Sequence, residues 1–120
     1  MIRSALFILA LSATTAHAAG NAATGASVFQ RCAICHSNAK GGPALIGPNL
    51  FGIVGRKAGS FPGFFYSPAM KNAGFVWTNA KLDAYLTSPP QIVPGNKMTF
   101  GGISNPTQRA DLIAYLNTLK

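Results

Sequence analysis

Residues 32–36 read Cys-Ala-Ile-Cys-His, a C-x-x-C-H string that constrains this chain more than any other feature. Two thiols at that spacing add across the two vinyl groups of one haem, and the adjoining imidazole lands beneath the iron as its proximal ligand. A chain so committed builds its core around a large apolar body. Competing uses of the motif lack their remaining parts. A zinc site wants about four N, S or O ligands, whereas the chain holds two cysteines, two histidines (His17 and His36) and two carboxylates (Asp83 and Asp111). A thioredoxin-like pair expects a strand before it, and no hydrophobic strand run precedes Cys32. A plain disulfide gives the following histidine no role. One haem, covalently bound through Cys32 and Cys35, is therefore expected, with His36 as an iron ligand.

The first 18 residues carry a secretory pattern. Arg3 forms a positive start, Ala5 to Leu11 a short apolar run, and Ala16-His17-Ala18 a small-residue cleavage site. The run falls short of the roughly 20 residues that span a bilayer. The expected organisation is a cleaved signal peptide, residues 1–18, and one domain, residues 19–120. The expected compartment is the periplasm, because bacteria attach haem covalently outside the cytoplasm.

The full chain carries a formal charge of +8. Without Arg3 it keeps nine basic and two acidic side chains. Basic domains attract nucleic acid, anionic lipid or acidic proteins; export leaves an acidic protein surface as the expected partner, with no nucleic acid and no stable membrane insertion. The cations are scattered, with no run longer than two.

Helix signals are local and clear. Asn21 reads as an N-cap followed by Ala22, Ala26, Phe29 and Ala33 at helical spacing. Gly25 inside that helix costs about 1 kcal/mol relative to alanine, which makes sense where another helix crosses closely. From Gly41 to Pro62 glycine and proline predict loop. Ser67-Pro68 starts a short helix closed by Gly74, and Thr78 caps a third that stops at Pro89-Pro90. Asn105, Pro106 and Gln108 form a capping-box pattern before a helix whose apolar face carries Ile113 and Leu116. The prediction is an all-α protein of three or four helices wrapped by long loops, whose core is incomplete without the haem.

The iron's second axial ligand decides the function. With His17 removed in processing, bis-histidine ligation is ruled out, leaving Met70 and Met98 as candidates. Met70 falls mid-helix, where an apolar methionine usually packs a core. Met98 lies in the proline-stiffened loop Pro94-Gly95-Asn96-Lys97-Met98-Thr99-Phe100, so spacing favours it without eliminating Met70.

From about Gly25 to Leu119 the chain resembles the class I c-type cytochromes, the small mitochondrial and bacterial periplasmic carriers. The shared strings are C-x-x-C-H, Phe29, Gly47-Pro48-Asn49-Leu50, Gly55-Arg56-Lys57, Pro62-Gly63-Phe64, Tyr66, Trp77, Tyr85-Leu86, Pro89, Pro94-Gly95, Lys97-Met98, Phe100-Gly101-Gly102 and Asp111 to Leu116. By that resemblance Met98 is the sixth ligand, and cytochromes c are the standing example of such His/Met ligation. The resemblance further implies that the Pro48 carbonyl accepts the His36 N–H, that Tyr66 and Trp77 hydrogen-bond a propionate and that Arg56 helps neutralise it. Tyr85 would sit beside the Met98 sulfur and Phe100 would cover the haem near its exposed edge. Gly25 and Phe29 would pack against Leu112 and Tyr115.

The departures are Met70 where relatives carry asparagine, Asn96 in place of threonine, and Pro43, Leu45, Pro90, Gln91 and Ser104 in place of lysines around the haem edge. Ile34, Ile46 and Phe100 would then form an apolar rim. The implied function is a monomeric periplasmic carrier of single electrons, not an enzyme, docking at the haem edge on a quinol–cytochrome c oxidoreductase, a terminal oxidase or a reaction centre. The rival is a haem protein with a labile sixth ligand, acting as a peroxidase or gas sensor.

Overall fold

The computed structural model describes residues 20–120, together with Ile8. The predicted signal peptide lies, Ile8 apart, outside the described residues. Five helices follow in order: α1 (Ala22–Ala33), α2 (Pro68–Lys71), α3 (Asn79–Thr87), α4 (Pro89–Ile92) and α5 (Pro106–Leu116). Loops fill the rest, and the described residues form no strand, only an isolated antiparallel bridge between Lys57 and Val76.

Side-chain caps start the helices where the sequence predicts. The Asn21 side chain accepts from the Thr24 N–H, Ser67 from Met70 and Thr78 from Lys81. Asn105 accepts from both Thr107 and Gln108; the return bond of a capping box, from the Gln108 side chain, is absent among the described residues. Each cap satisfies N–H groups that an α-helix leaves without internal partners.

The predicted stop at Pro89-Pro90 is half the story. Ser88 ends α3 with its N–H on the Ala84 carbonyl and also stands as the N-cap of α4, with proline in that helix's first turn. Proline is barred from a helix interior for lack of an N–H, yet its fixed φ suits the first turn of the next one. The same dipeptide thus ends one helix and begins another.

Helices α1 and α5 cross at the closest possible approach. A Cβ added at Gly25 would lie 1.9 Å from the Asp111 carbonyl oxygen and 2.8 Å from Tyr115 Cβ. Beside this contact the Phe29 and Tyr115 rings tilt together at 5.1 Å. The buried Asp111 carboxylate accepts the Asn21 N–H at 2.8 Å, so α5 also secures the start of α1. Val28, Phe29, Leu112, Ile113 and Leu116 make the core here, and Leu82 and Leu86 of α3 continue it. Leu112 and Leu116 also reach the wall of the central cavity.

Candidate functional site: the central cavity

A mostly apolar cavity of about 410 Å³ opens at the centre of the fold, within the roughly 300–1,000 Å³ of small-molecule and cofactor sites. Nine of the ten residues expected to hold the cofactor line it: Cys32, Cys35, His36, Pro48, Tyr66, Trp77, Tyr85, Met98 and Phe100. Arg56 is the exception.

One wall comes from the end of α1. The Cys32 carbonyl accepts the N–H groups of Cys35 and His36 at 3.0 and 2.9 Å, which folds the motif back against the helix terminus. Cys32 and Cys35 form no disulfide with each other, and burial pushes the Cys32 thiol up despite the lowering effect of Arg31. His36 Nδ1 lies 2.7 Å from the Pro48 carbonyl oxygen. A carbonyl only accepts, so Nδ1 carries the proton and donates it, leaving the Nε2 lone pair for a ligand. Burial, opposed by this bond, lowers the imidazole pKa. Gly47 lies against the ring: a Cβ there would be 2.4 Å from His36 Cε1. Only glycine lets the backbone pass so close.

More of the lining comes from α2, α3 and the loop after α4. The Tyr85 O–H donates to Met98 Sδ at 3.9 Å, and the Met98 N–H is held by the Asn96 side chain at 2.8 Å. Burial raises the Tyr85 phenol to about 12, so at neutral pH it donates and does not ionise. Trp77 stands between Phe75 and Tyr85 with ring centroids 4.8 Å from each. The Lys97 ammonium bonds the Phe65 carbonyl and lies 4.6 Å from the Phe64 ring centroid, tying the methionine loop to the 61–66 loop.

Met70 also lines the cavity, so both methionine candidates share it. Met70 is buried on α2, while Met98 is the one engaged by Tyr85. Arg56 turns away from the cavity: it donates to the Asn49 and Phe51 carbonyls at 2.7 and 2.5 Å and stacks its guanidinium on Phe61. Burial lowers its pKa, with Tyr66 opposing. Tyr66 accepts the Phe61 N–H at 3.0 Å. Neither its O–H nor the Trp77 indole N–H has a protein acceptor among the described residues, although both rings line the cavity. The mouth is framed by Ile34 and Ile46, 76 % and 74 % exposed, with exposed Leu45 beside them and the cations Arg31 and Lys97 at its margins.

Two thiols, an imidazole and a thioether around one mostly apolar cavity, with unpaired donors suited to carboxylates, fit a covalently attached haem. Comparison with known proteins agrees. The family described as Cytochrome c matches residues 22–120. A cytochrome c2 of Rhodomicrobium vannielii is 50 % identical over 104 residues, covering 87 % of this chain and 83 % of the relative. A cytochrome c of Trypanosoma brucei brucei is 55 % identical over 82 residues, 68 % of this chain and 88 % of its own. Among solved structures, cytochrome cH from Methylobacterium extorquens superposes with a TM-score of 0.78 at 43 % identity, covering 82 % of this chain and 99 % of that one. The chain belongs to the cytochrome c family: it is a class I c-type cytochrome, an electron carrier with covalently attached haem c.

Gly47, Asn49, Leu82, Leu86 and Lys97 shape this site without having been singled out for roles in it. Gly47 and Asn49 stood within a shared string. Leu86 and Lys97 likewise stood within shared strings, and nothing in the sequence says that the helix face carrying Leu82 and Leu86 meets a cofactor.

Proposed function

We propose that this protein is a periplasmic shuttle of single electrons in which His36 and Met98 would hold the haem iron. The observation that carries the reading is that one cavity is lined both by His36, its Nδ1 proton engaged by Pro48, and by Met98, its sulfur engaged by Tyr85. The haem supplies one-electron chemistry when bound. The protein's part is to keep that chemistry outer-sphere. The Pro48 carbonyl fixes the imidazole tautomer and raises its basicity. Tyr85 and Asn96 restrain the thioether and its backbone, so the site stays closed to small ligands, and the apolar walls exclude water. Tyr66 and Trp77 offer donors to the propionates. Arg56 serves them from a distance, through its charge.

The exposed Ile34, Leu45 and Ile46 suit a brief encounter with a redox complex, since weak electron-transfer contacts are small. Arg31 and Lys97 at the mouth steer acidic partners. The expected result is a transfer rate that falls with salt, but shallowly. Among the described residues no helix is long and apolar enough to cross a membrane, which suits a diffusing carrier. Sequencing the N-terminus of protein from a periplasmic fraction checks export and cleavage after Ala18.

The central test is optical. The oxidised wild type is expected to show a far-red sulfur-to-iron charge-transfer band that Met98→Ala loses and Met70→Leu keeps. Loss of the band in Met70→Leu alone transfers the ligand role to Met70. Rapid carbon monoxide binding by the reduced wild type supports the rival, a catalyst or sensor with a labile site.

A further inference from the structure

Asn49 is 2 % exposed, among the most deeply buried side chains of the described chain, and it is polar. Its amide makes three of its four possible hydrogen bonds. Nδ2 donates to the Ala39 and Gly42 carbonyls at 2.7 and 2.8 Å, and Oδ1 accepts the Phe51 N–H at 2.8 Å. Gly42 leaves room for it, since a Cβ there would stand 3.0 Å from Nδ2. The Asn49 carbonyl accepts from Arg56, which also holds Phe51. Two segments of loop and an arginine thus converge on one residue.

We propose that Asn49 is a positioning residue for His36, acting through the Pro48 carbonyl. The Pro48 C=O and the Asn49 N–H belong to one planar peptide unit. Pinning Asn49 on its side chain and carbonyl, with the Pro48 ring fixing the preceding φ, therefore pins the direction of the carbonyl that meets Nδ1 at 2.7 Å. Gly47, packed against the same ring, closes the cradle. Arg56 is its outer brace. This inference rests on the reading of His36 as an iron ligand. A well-aimed Nδ1–H···O bond makes the imidazole a stronger donor, which favours the oxidised iron. Loosening the peptide plane raises the reduction potential.

The test uses the haem-loaded protein and three variants. Asn49→Ser removes the amide's reach. Arg56→Lys keeps the charge but gives up the two-pronged hold on the carbonyls. Val28→Ala removes a buried group from α1, outside the cavity wall, as a control for stability loss alone. Asn49→Ser is expected to shift the equilibrium toward the reduced form by about threefold or more, tenfold being about 59 mV for one electron. It is also expected to speed exchange of the His36 Nδ1 proton about tenfold, in line with the size of effects seen for groups that orient ligands. Arg56→Lys moves both in the same direction by less, and carries the test should Asn49→Ser fail to fold. Val28→Ala moves neither. If the wild type's His36 ring resonances are not shifted by the oxidised iron, the ligand reading itself fails and this inference falls with it. If they are shifted but neither variant alters potential or exchange, His36 stands as ligand and Asn49 is packing alone.

Discussion

Replacing Gly25 by alanine pits helix propensity against packing, and the two predict opposite signs. Alanine inside a helix is favoured over glycine by about 0.8–1.0 kcal/mol. The new Cβ, however, would stand 1.9 Å from the Asp111 oxygen, 2.6 Å from its carbon and 2.8 Å from Tyr115 Cβ. Backbone atoms cannot rotate away. Restoring ordinary contact at roughly 3.5 Å opens the crossing by about 1–1.5 Å, and gaps near 1 Å already forfeit a quarter to a half of each dispersion well. Phe29, Leu112 and Leu116, 2 %, 1 % and 4 % exposed, sit in that seam. Each is worth about 1.5–3 kcal/mol when buried, so losing a third to a half of that across all three comes to about 2–4 kcal/mol. Packing wins by about 1–3 kcal/mol, or roughly 4–24 °C in Tm at 4–8 °C per kcal/mol for a domain of this size. Thermal or guanidinium unfolding of the haem-loaded protein measures it, with exposed Ser27→Ala on the same helix expected to stay within about 0.5 kcal/mol of wild type. A Gly25→Ala protein as stable as wild type refutes the close-crossing argument.

Further outcomes concern charge and the cofactor. Tyr85, raised to about 12 by burial, holds its proton longer folded than unfolded, where the phenol titrates near 10. The folded state then binds more protons between about pH 10 and 12, so the stability this group contributes is intact below 10 and lost across that window; Tyr85→Phe should flatten the decline in alkaline denaturation curves, and an unchanged slope refutes the assignment. In the Arg109–Asp83 pair at 3.0 Å the carboxylate is half exposed, so Asp83→Asn should cost at most about 1 kcal/mol. Arg109→Met should cost more, about 1–3 kcal/mol, because Arg109 also holds the Ile103 and Ser104 carbonyls; equal losses in denaturant titrations contradict this. Blocking haem attachment with Cys32→Ala and Cys35→Ala leaves a cavity of about 410 Å³. At about 24 cal/mol per Å³ that approaches 10 kcal/mol, comparable to a domain's whole stability of about 5–15 kcal/mol, so circular dichroism of the haem-free chain should show most helix lost.

Much of this was legible in the sequence because its signals are short-range. Asn21, Ser67, Thr78 and Asn105 each accept from an N–H two or three residues on, and a local bond needs only local residues. The attachment motif is equally compact. The α4 turn was hidden because proline carries the same letter whether it ends a helix or opens one. Arg56 was assigned to a propionate by resemblance, whereas its guanidinium bonds two carbonyls within seven residues of itself. Sequence shows that a cation is present, not which acceptor lies nearest. Asn49 illustrates the same limit: a polar letter in a glycine- and proline-rich stretch reads as solvated turn, and only the folded loop reveals that Ala39, Gly42 and Phe51 surround it.

The crossing of α1 on α5 has a consequence for how the molecule is made. The helix that carries Cys32 leaves the ribosome early, but the surface that fixes it, at Asp111 and Tyr115, is nearly the last to be synthesised. Until α5 docks, the helix that carries the attachment motif lacks the surface that holds it, so in an exported chain that has not yet folded the motif stays open to haem attachment. Docking of α5 then acts as a clasp on that helix.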